Sequence, residues 1–212
     1  MIEFAAYLSQ GLETLNLKIS DHKAQLMAMH AKELMQWNKK INLTAIKEPL
    51  HIVEKHFIDC IAASVFIEGK KSIIDLGSGG GFPGIPLKII NPELKVVLID
   101  SSRKKVNFLK HVIRLLNLKN IDAIHSRVQD LQENHLYKNQ FDSVISRAFT
   151  NLTDFVELAM PFLKPEGIIY AMKGKKVKNE ITTELTKKFD IKNNFYKLPF
   201  EQSERYVIQL SI

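Results

Sequence analysis

Residues 75–86 read DLGSGGGFPGIP, beginning on the last two residues of the apolar run SIIDL and leading directly into an apolar helical stretch. Gly77, Gly79 and Gly81 allow a tight strand-to-helix turn in which the backbone comes close to a ligand that a Cβ would repel. Pro83 suits the first helical turn, where a missing N–H does no harm. A strand, a glycine turn and a helix in succession are the opening of an α/β unit with a parallel sheet.

The chain on either side agrees. From Lys71 onward, short β-branched runs alternate with helical stretches, the pattern of parallel strands with crossover helices. SIIDL, KVVLID, IDAIHS, FDSVIS and GIIYAM read as five strands. Helices are expected at about 83–90, 103–116, 152–163 and 177–189. FYKLPF and RYVIQLSI, separated by the turn-like EQSE, add an antiparallel pair, for seven strands in all. Before residue 68 the reading is helical. Met27, His30, Leu34, Trp37 and Ile41 recur at the spacing of one helix face, with Ser20 as its cap. A second helix starts near Pro49 and buries Ile52, Val53, Phe57, Cys60 and Ile61, and WNKKINLT connects the two. The division expected is a helical extension over 1–68, packed on an α/β domain over 69–212.

The 212 residues are 45% apolar, enough for a real core. The N-terminus has no basic head and no unbroken apolar stretch, and no run elsewhere reaches the ~18 residues of a membrane span. Cys60 is the single cysteine, which excludes an internal disulfide and a cysteine-based metal cluster. A cytoplasmic protein without metal is expected. The formal charge of +7 would attract phosphates. A nucleic-acid partner and a simply lysine-rich composition account for that charge equally well, since only five of the cations are arginines.

Gly79, Gly81 and Gly84 formally spell the dinucleotide fingerprint, but Phe82 and Pro83 put bulk where a pyrophosphate would meet the helix. Asp75 two positions before Gly77 gives DxGxGxG, which resembles the first motif of class I S-adenosylmethionine methyltransferases. Both cofactor types favour a carboxylate at the end of the second strand for the ribose hydroxyls. Asp100 stands there, a role preferred over merely capping the Arg103 helix with Ser101 or Ser102.

In order along the chain come WNKKINLT, DLGSGGGFPGIPLKI, LIDSSRKKVNFLK, SRVQD, VISRAF and MKGK. The series, from about Trp37 to Lys175, resembles the bacterial RsmG (GidB) family. The resemblance implies a Rossmann-like class I fold and methyl transfer from S-adenosylmethionine to guanine N7, at guanosine 527 in the 530 loop of 16S ribosomal RNA. It also implies that Gly77, Gly79 and Phe82 line the cofactor loop, that Val128 and Gln129 face the adenine, and that Arg147 completes the site. The family has Glu where this chain has Gln129, which leaves a backbone contact or Asp130 for that role.

Guanine N7 carries a lone pair and no proton, so its methylation needs alignment and exclusion of water but no general base. SRAF stands where exocyclic-amine methyltransferases carry an Asn- or Asp-Pro-Pro-aromatic motif, and Cys60 reads as core rather than as a nucleophile. Arg147 on guanine N7 would occupy the attacking lone pair, so a carboxylate or phosphate partner is expected for it. Arg103, Lys104, Lys173, Lys175 and Arg205 are the candidate RNA contacts. Asn38, Lys39 and Asn42 are further candidates from the helical extension, and His56 and Asp59 resemble the family's HFxD element. A solvated surface explains these residues as well as RNA does. Ribosomal RNA or the small subunit is the expected partner, and a monomer the expected state. The rivals are a small-molecule methyltransferase, a nicotinamide-dependent oxidoreductase and a basic RNA-binding module without catalysis.

Overall fold

The computed structural model describes residues 2–67, 69–147 and 149–211. Helices α1 (Ile2–Thr14) and α2 (Asp21–Ile41) come first, followed by one long helical rod. That rod begins as α3 (Pro49–Ile52), runs through a π-helical stretch (Val53–Ile58) and ends as α4 (Asp59–Ser64). The α/β part then follows: β1 (Ser72–Leu76), α5 (Gly84–Ile90), β2 (Lys95–Asp100), α6 (Arg103–Leu115), β3 (Ile121–His125), α7 (Val128–Leu131), β4 (Phe141–Arg147), α8 (Leu152–Ala159), β5 (Leu163–Gly174), α9 (Thr183–Lys188), β6 (Asp190–Lys197) and β7 (Glu204–Ser211).

The strand order is β3-β2-β1-β4-β5-β7-β6. The first five strands are parallel, and β7 lies antiparallel between β5 and β6. All five residues of β1 are buried, as a central strand covered on both faces must be. Side chains alternate between two cores. Ile73, Leu98, Ile145 and Val207 pack with α1, α2, the rod, α5 and α6. Ile74, Ile99, Val144 and Ile208 pack with α8 and the segments around it. The edge strand β6 alternates exposed and half-buried residues and carries Lys192, Asn193 and Asn194, polar groups that discourage pairing with another sheet.

Ser20 caps α2 through Lys23 N–H, as the sequence suggests. The helix runs to Ile41, the last residue of the expected face, so the first five residues of WNKKINLT are helix and only its end is connection, and Asn42 ends the helix in the left-handed region at φ 51°. Pro49 opens the rod, but the π-helical stretch inside it has no sequence counterpart. The helix expected over 152–163 stops at Ala159, and Leu163 already belongs to β5. The helix expected over 177–189 is a 3-10 turn (Lys175–Asn179) followed by a fresh start at Thr183, where the Thr182 side chain accepts from Leu185 N–H. No helix among the described residues is long and apolar enough to cross a membrane.

Candidate functional site

The carboxyl ends of the parallel strands, where open α/β sheets bind ligands, carry two clefts. The first measures about 450 Å³ and is lined by Gly77, Asp100, Val128 and Gln129, together with Lys105 and Phe149. Four residues named from sequence are thus brought together. The second measures about 350 Å³ and is lined by His56, Asp59, Arg147, Lys173, Tyr196 and Arg205, among others. Arg147, the last residue of β4 and expected to complete the cofactor site, lines the second cleft and not the first, whereas Phe149, two positions on, lines the first.

The glycine loop is built by the strand beside it. Gly77 and Ser78 N–H groups both donate to the Ile99 carbonyl at 2.9 Å, and Gly77 has φ +75°. A Cβ there would run into the Phe149 ring. Gly79 (φ +55°) donates to Asp100 Oδ2 at 3.0 Å, and Asp100 Oδ1 accepts from Ser102 N–H at 2.8 Å. The Asp100 carboxylate therefore ties the loop to the start of α6. Ser102 is the helix cap but makes no side-chain capping bond.

Beneath the loop lie two fully buried polar side chains. Asp75 Oδ2 accepts from Gly84 N–H at 2.9 Å while Oδ1 has no partner, and burial raises its pKa to about 7. His30, from α2, is 2.8 Å from the Gly80 carbonyl through Nε2, so that nitrogen must carry the proton. Burial lowers its pKa to about 4. The sequence marks His30 only as a core position, because its partner lies 50 residues away.

Phe82 does not present its ring to the first cleft. The ring is buried between the His30 and His56 imidazoles, stacked at 4.9 and 4.6 Å, with the Arg147 guanidinium 5.0 Å from its centroid. Cation–π contact of this kind contributes about 0.5–2 kcal/mol. The loop is thereby joined to the second cleft.

There, Arg147 donates to the Lys55 carbonyl at 2.7 Å and to His56 Nδ1 at 2.8 Å, with Asp59 Oδ2 at 3.6 Å. The carboxylate partner anticipated for Arg147 thus comes from the chain itself. His56 Nε2 is 2.9 Å from Thr44 Oγ1, and with Nδ1 accepting, this nitrogen donates. Burial, then the Arg147 charge, lowers the His56 pKa to about 2. Asp59 Oδ1 accepts from the Tyr196 hydroxyl at 2.8 Å and faces Arg205 Nε at 3.4 Å. Burial pushes the Asp59 carboxyl up, against the pull of Arg147 and Arg205. Tyr196 carries no sequence signal; it meets Asp59 across 137 residues of chain.

The remaining cations divide. Lys173, expected to reach a phosphate, is turned inward, where it pairs with Glu180 at 2.7 Å and donates to the Thr150 carbonyl. Arg103, Lys104 and Lys175 are exposed. Asn38 is not free for RNA: it donates to the Thr44 carbonyl and accepts from Thr44 N–H, both at 2.9 Å.

Comparison with known proteins agrees with this architecture. Residues 23–206 match the GidB family model, described as rRNA small subunit methyltransferase G. The chain is 42% identical over 192 residues to ribosomal RNA small subunit methyltransferase G of Clostridium botulinum Type A, covering 90% of this chain and 80% of that protein. It is 41% identical over 174 residues to the protein of the same name from Geobacter sp. strain M21, covering 82% and 79%. In fold it is similar to a SAM dependent methyltransferase from Aquifex aeolicus, with TM-score 0.55, 18% identity, and 81% and 97% of the two chains covered. With the family model matched over most of its length, the chain belongs to the GidB family of ribosomal RNA small subunit methyltransferases.

Proposed function

We propose that this protein transfers a methyl group from S-adenosylmethionine to N7 of a guanosine in small-subunit ribosomal RNA, the guanosine 527 implied by the RsmG resemblance. The first cleft holds the cofactor and the second the acceptor base, with residues 1–68 acting as an extension that completes the second cleft. The observation that carries the reading is that, among the described residues, the imidazole and the carboxylate facing the acceptor cleft are both already engaged. His56 has one nitrogen donating to Thr44 and the other accepting from Arg147, and Asp59 is held by Tyr196, Arg147 and Arg205. Such a cleft suits an acceptor that has no proton to lose.

The first cleft fits the cofactor. An added Cβ at Gly79 would have only the Gly77 carbonyl oxygen within 4 Å, at 3.9 Å, so the loop backbone is open to a ligand. Each Asp100 oxygen accepts one N–H and keeps capacity for a ribose hydroxyl. A dinucleotide fits worse, because the Gly84 N–H at the start of α5, which a pyrophosphate would need, already donates to Asp75. When bound, S-adenosylmethionine supplies a methyl group on a sulfonium sulfur, open to direct attack by an unprotonated ring nitrogen. The chain contributes by positioning: Val128 and Gln129 at the adenine, Asp100 at the ribose, and Arg147, fixed by His56, at the acceptor.

The test is incubation of unmodified small-subunit RNA with the protein and S-adenosylmethionine, followed by mass mapping of nucleosides. The expected product is 7-methylguanosine at a single position. A methyl group on an exocyclic amine or a ribose would overturn the reading.

A further inference from the structure

A third and larger groove, about 1140 Å³, runs between the C-terminal half of α2 and the segment over residues 42–47. Lys32, Met35, Gln36 and Lys39 line one wall at the three-and-four spacing of a single helix face, and Lys47 stands on the other. Lys32, Lys39 and Lys47 are exposed. Among the described residues, no carboxylate lines the groove and none of the three lysines has an ion-pair partner. Leu43, Ile46 and Ile52 give it an apolar floor. Uncompensated cations in a row give the phosphates of a single nucleic-acid strand a track, and the apolar floor between them is open to its bases.

The groove is also continuous with the arginine-lined cleft. Ile46 borders both. Thr44 lies in the groove wall, with its hydroxyl 2.9 Å from His56 and accepting from Ile46 N–H at 3.1 Å. Asn38 clamps that wall to α2 through the two bonds to Thr44, so the surface is preformed. Lys32 and Lys39 stand seven residues apart, about 10 Å along a helix axis, a span longer than one nucleotide step.

We propose that this groove holds the RNA strand adjoining the methyl acceptor, with Lys32, Lys39 and Lys47 on its phosphates. The inference rests on the reading that the acceptor is an RNA nucleotide. The test compares wild type with Lys32→Glu/Lys39→Glu/Lys47→Glu and with a control triple, Lys70→Glu/Lys95→Glu/Lys119→Glu. The control changes the net charge equally, but at the amino ends of β1, β2 and β3, away from the clefts. Affinity for small-subunit RNA is measured against salt, and S-adenosylhomocysteine binding by calorimetry reports an intact fold.

The groove triple should bind RNA at least tenfold more weakly. Its slope of log affinity against log salt should be smaller by about 2, from roughly 0.7 for each phosphate that a lysine no longer neutralises. Its cofactor affinity should be unchanged, and the control triple should stay near wild type. Equal losses in both triples, or unchanged RNA affinity and slope in a groove triple that still binds cofactor, would overturn the proposal. Loss confined to the groove triple supports it whether or not the bound RNA is methylated. RNA that wild type binds but never methylates counts against the catalytic reading alone.

Discussion

Arg147 donates through Nη2 to His56 Nδ1 across 2.8 Å, which fixes the imidazole as the Nε2–H tautomer and leaves it no lone pair for the acceptor. With its pKa lowered to about 2, His56 does not change charge over the working range. Single-turnover methylation at saturating cofactor and RNA should therefore be nearly flat between about pH 6.5 and 9. A rate climbing with unit slope, and flattened by His56→Gln, would make His56 a base and refute this arrangement.

Phe149 covers Gly77 closely enough that no side chain fits between them. Gly77→Ala should therefore lower S-adenosylhomocysteine affinity at least tenfold in a protein with unchanged circular dichroism, from the collision and from the positive φ. Adding Phe149→Ala removes the collision but not the backbone strain. The double variant should recover part of the affinity, and the cycle reads the coupling directly. Additive losses would mean that the two residues do not share a wall of the site.

Asp100 has two tasks at one carboxylate, holding Gly79 and Ser102 and facing the ribose. Asp100→Ala should weaken cofactor binding by about 1–3 kcal/mol through unpaired hydroxyls. It should also lower the melting temperature of the free protein, since two backbone N–H groups lose their acceptor. Calorimetry and thermal denaturation check the two effects separately. A fall in the saturated rate with affinity intact would contradict the binding role.

His30 is neutral in the fold at about 4 against 6.5 unfolded, so the unfolded chain takes up the proton and stability falls as pH drops through 6.5 toward 4. Asp75 works in the opposite sense. Its folded value of about 7 means that the fold keeps a proton the unfolded carboxyl releases above 3.8, so stability is lost as pH rises toward 7. In His30→Gln, which retains a donor for Gly80, the slope of unfolding free energy between pH 5 and 6 should be smaller than in wild type by about 1 kcal/mol per pH unit. Urea titrations at the two pH values measure it, and an unchanged slope would show that His30 is charged in the fold.

What the sequence made legible was local. The glycine turn, Asp100 at a strand end and the cap at Ser20 each announce themselves within a few residues, and the strands follow from alternation and β-branching, except that β6 begins at Asp190, five residues before the FYKLPF run read for it. The misread segments are those decided by distant partners. Glu180 is engaged by Lys173 and by Leu152 N–H, and Thr182 restarts the chain as α9, so the run from Val177, rich in threonine and β-branched residues that favour helices weakly, does not form one helix. Phe82 sits in a loop motif, but its ring belongs to imidazoles from two other helices, a grouping that no spacing encodes. Lys173 and Lys175 look equivalent in MKGK, yet among the described residues only the first meets a carboxylate.

The π-helical stretch gives the rod one residue more than an α-helix of the same length would hold. Everything after Ile58 is therefore turned by about 100° relative to an uninterrupted helix, as a gear is advanced by one tooth. That offset lets Glu54 accept from Phe200 and Glu201 N–H at 2.8 and 2.9 Å while Asp59, farther along the rod, faces Tyr196 and Arg205. A one-residue deletion inside Val53–Ile58 that closed the stretch into regular α-helix would keep Asp59 in register, whereas rewinding the stretch as α-helix with all six residues would swing Asp59 about 100° away from Tyr196 and the two arginines.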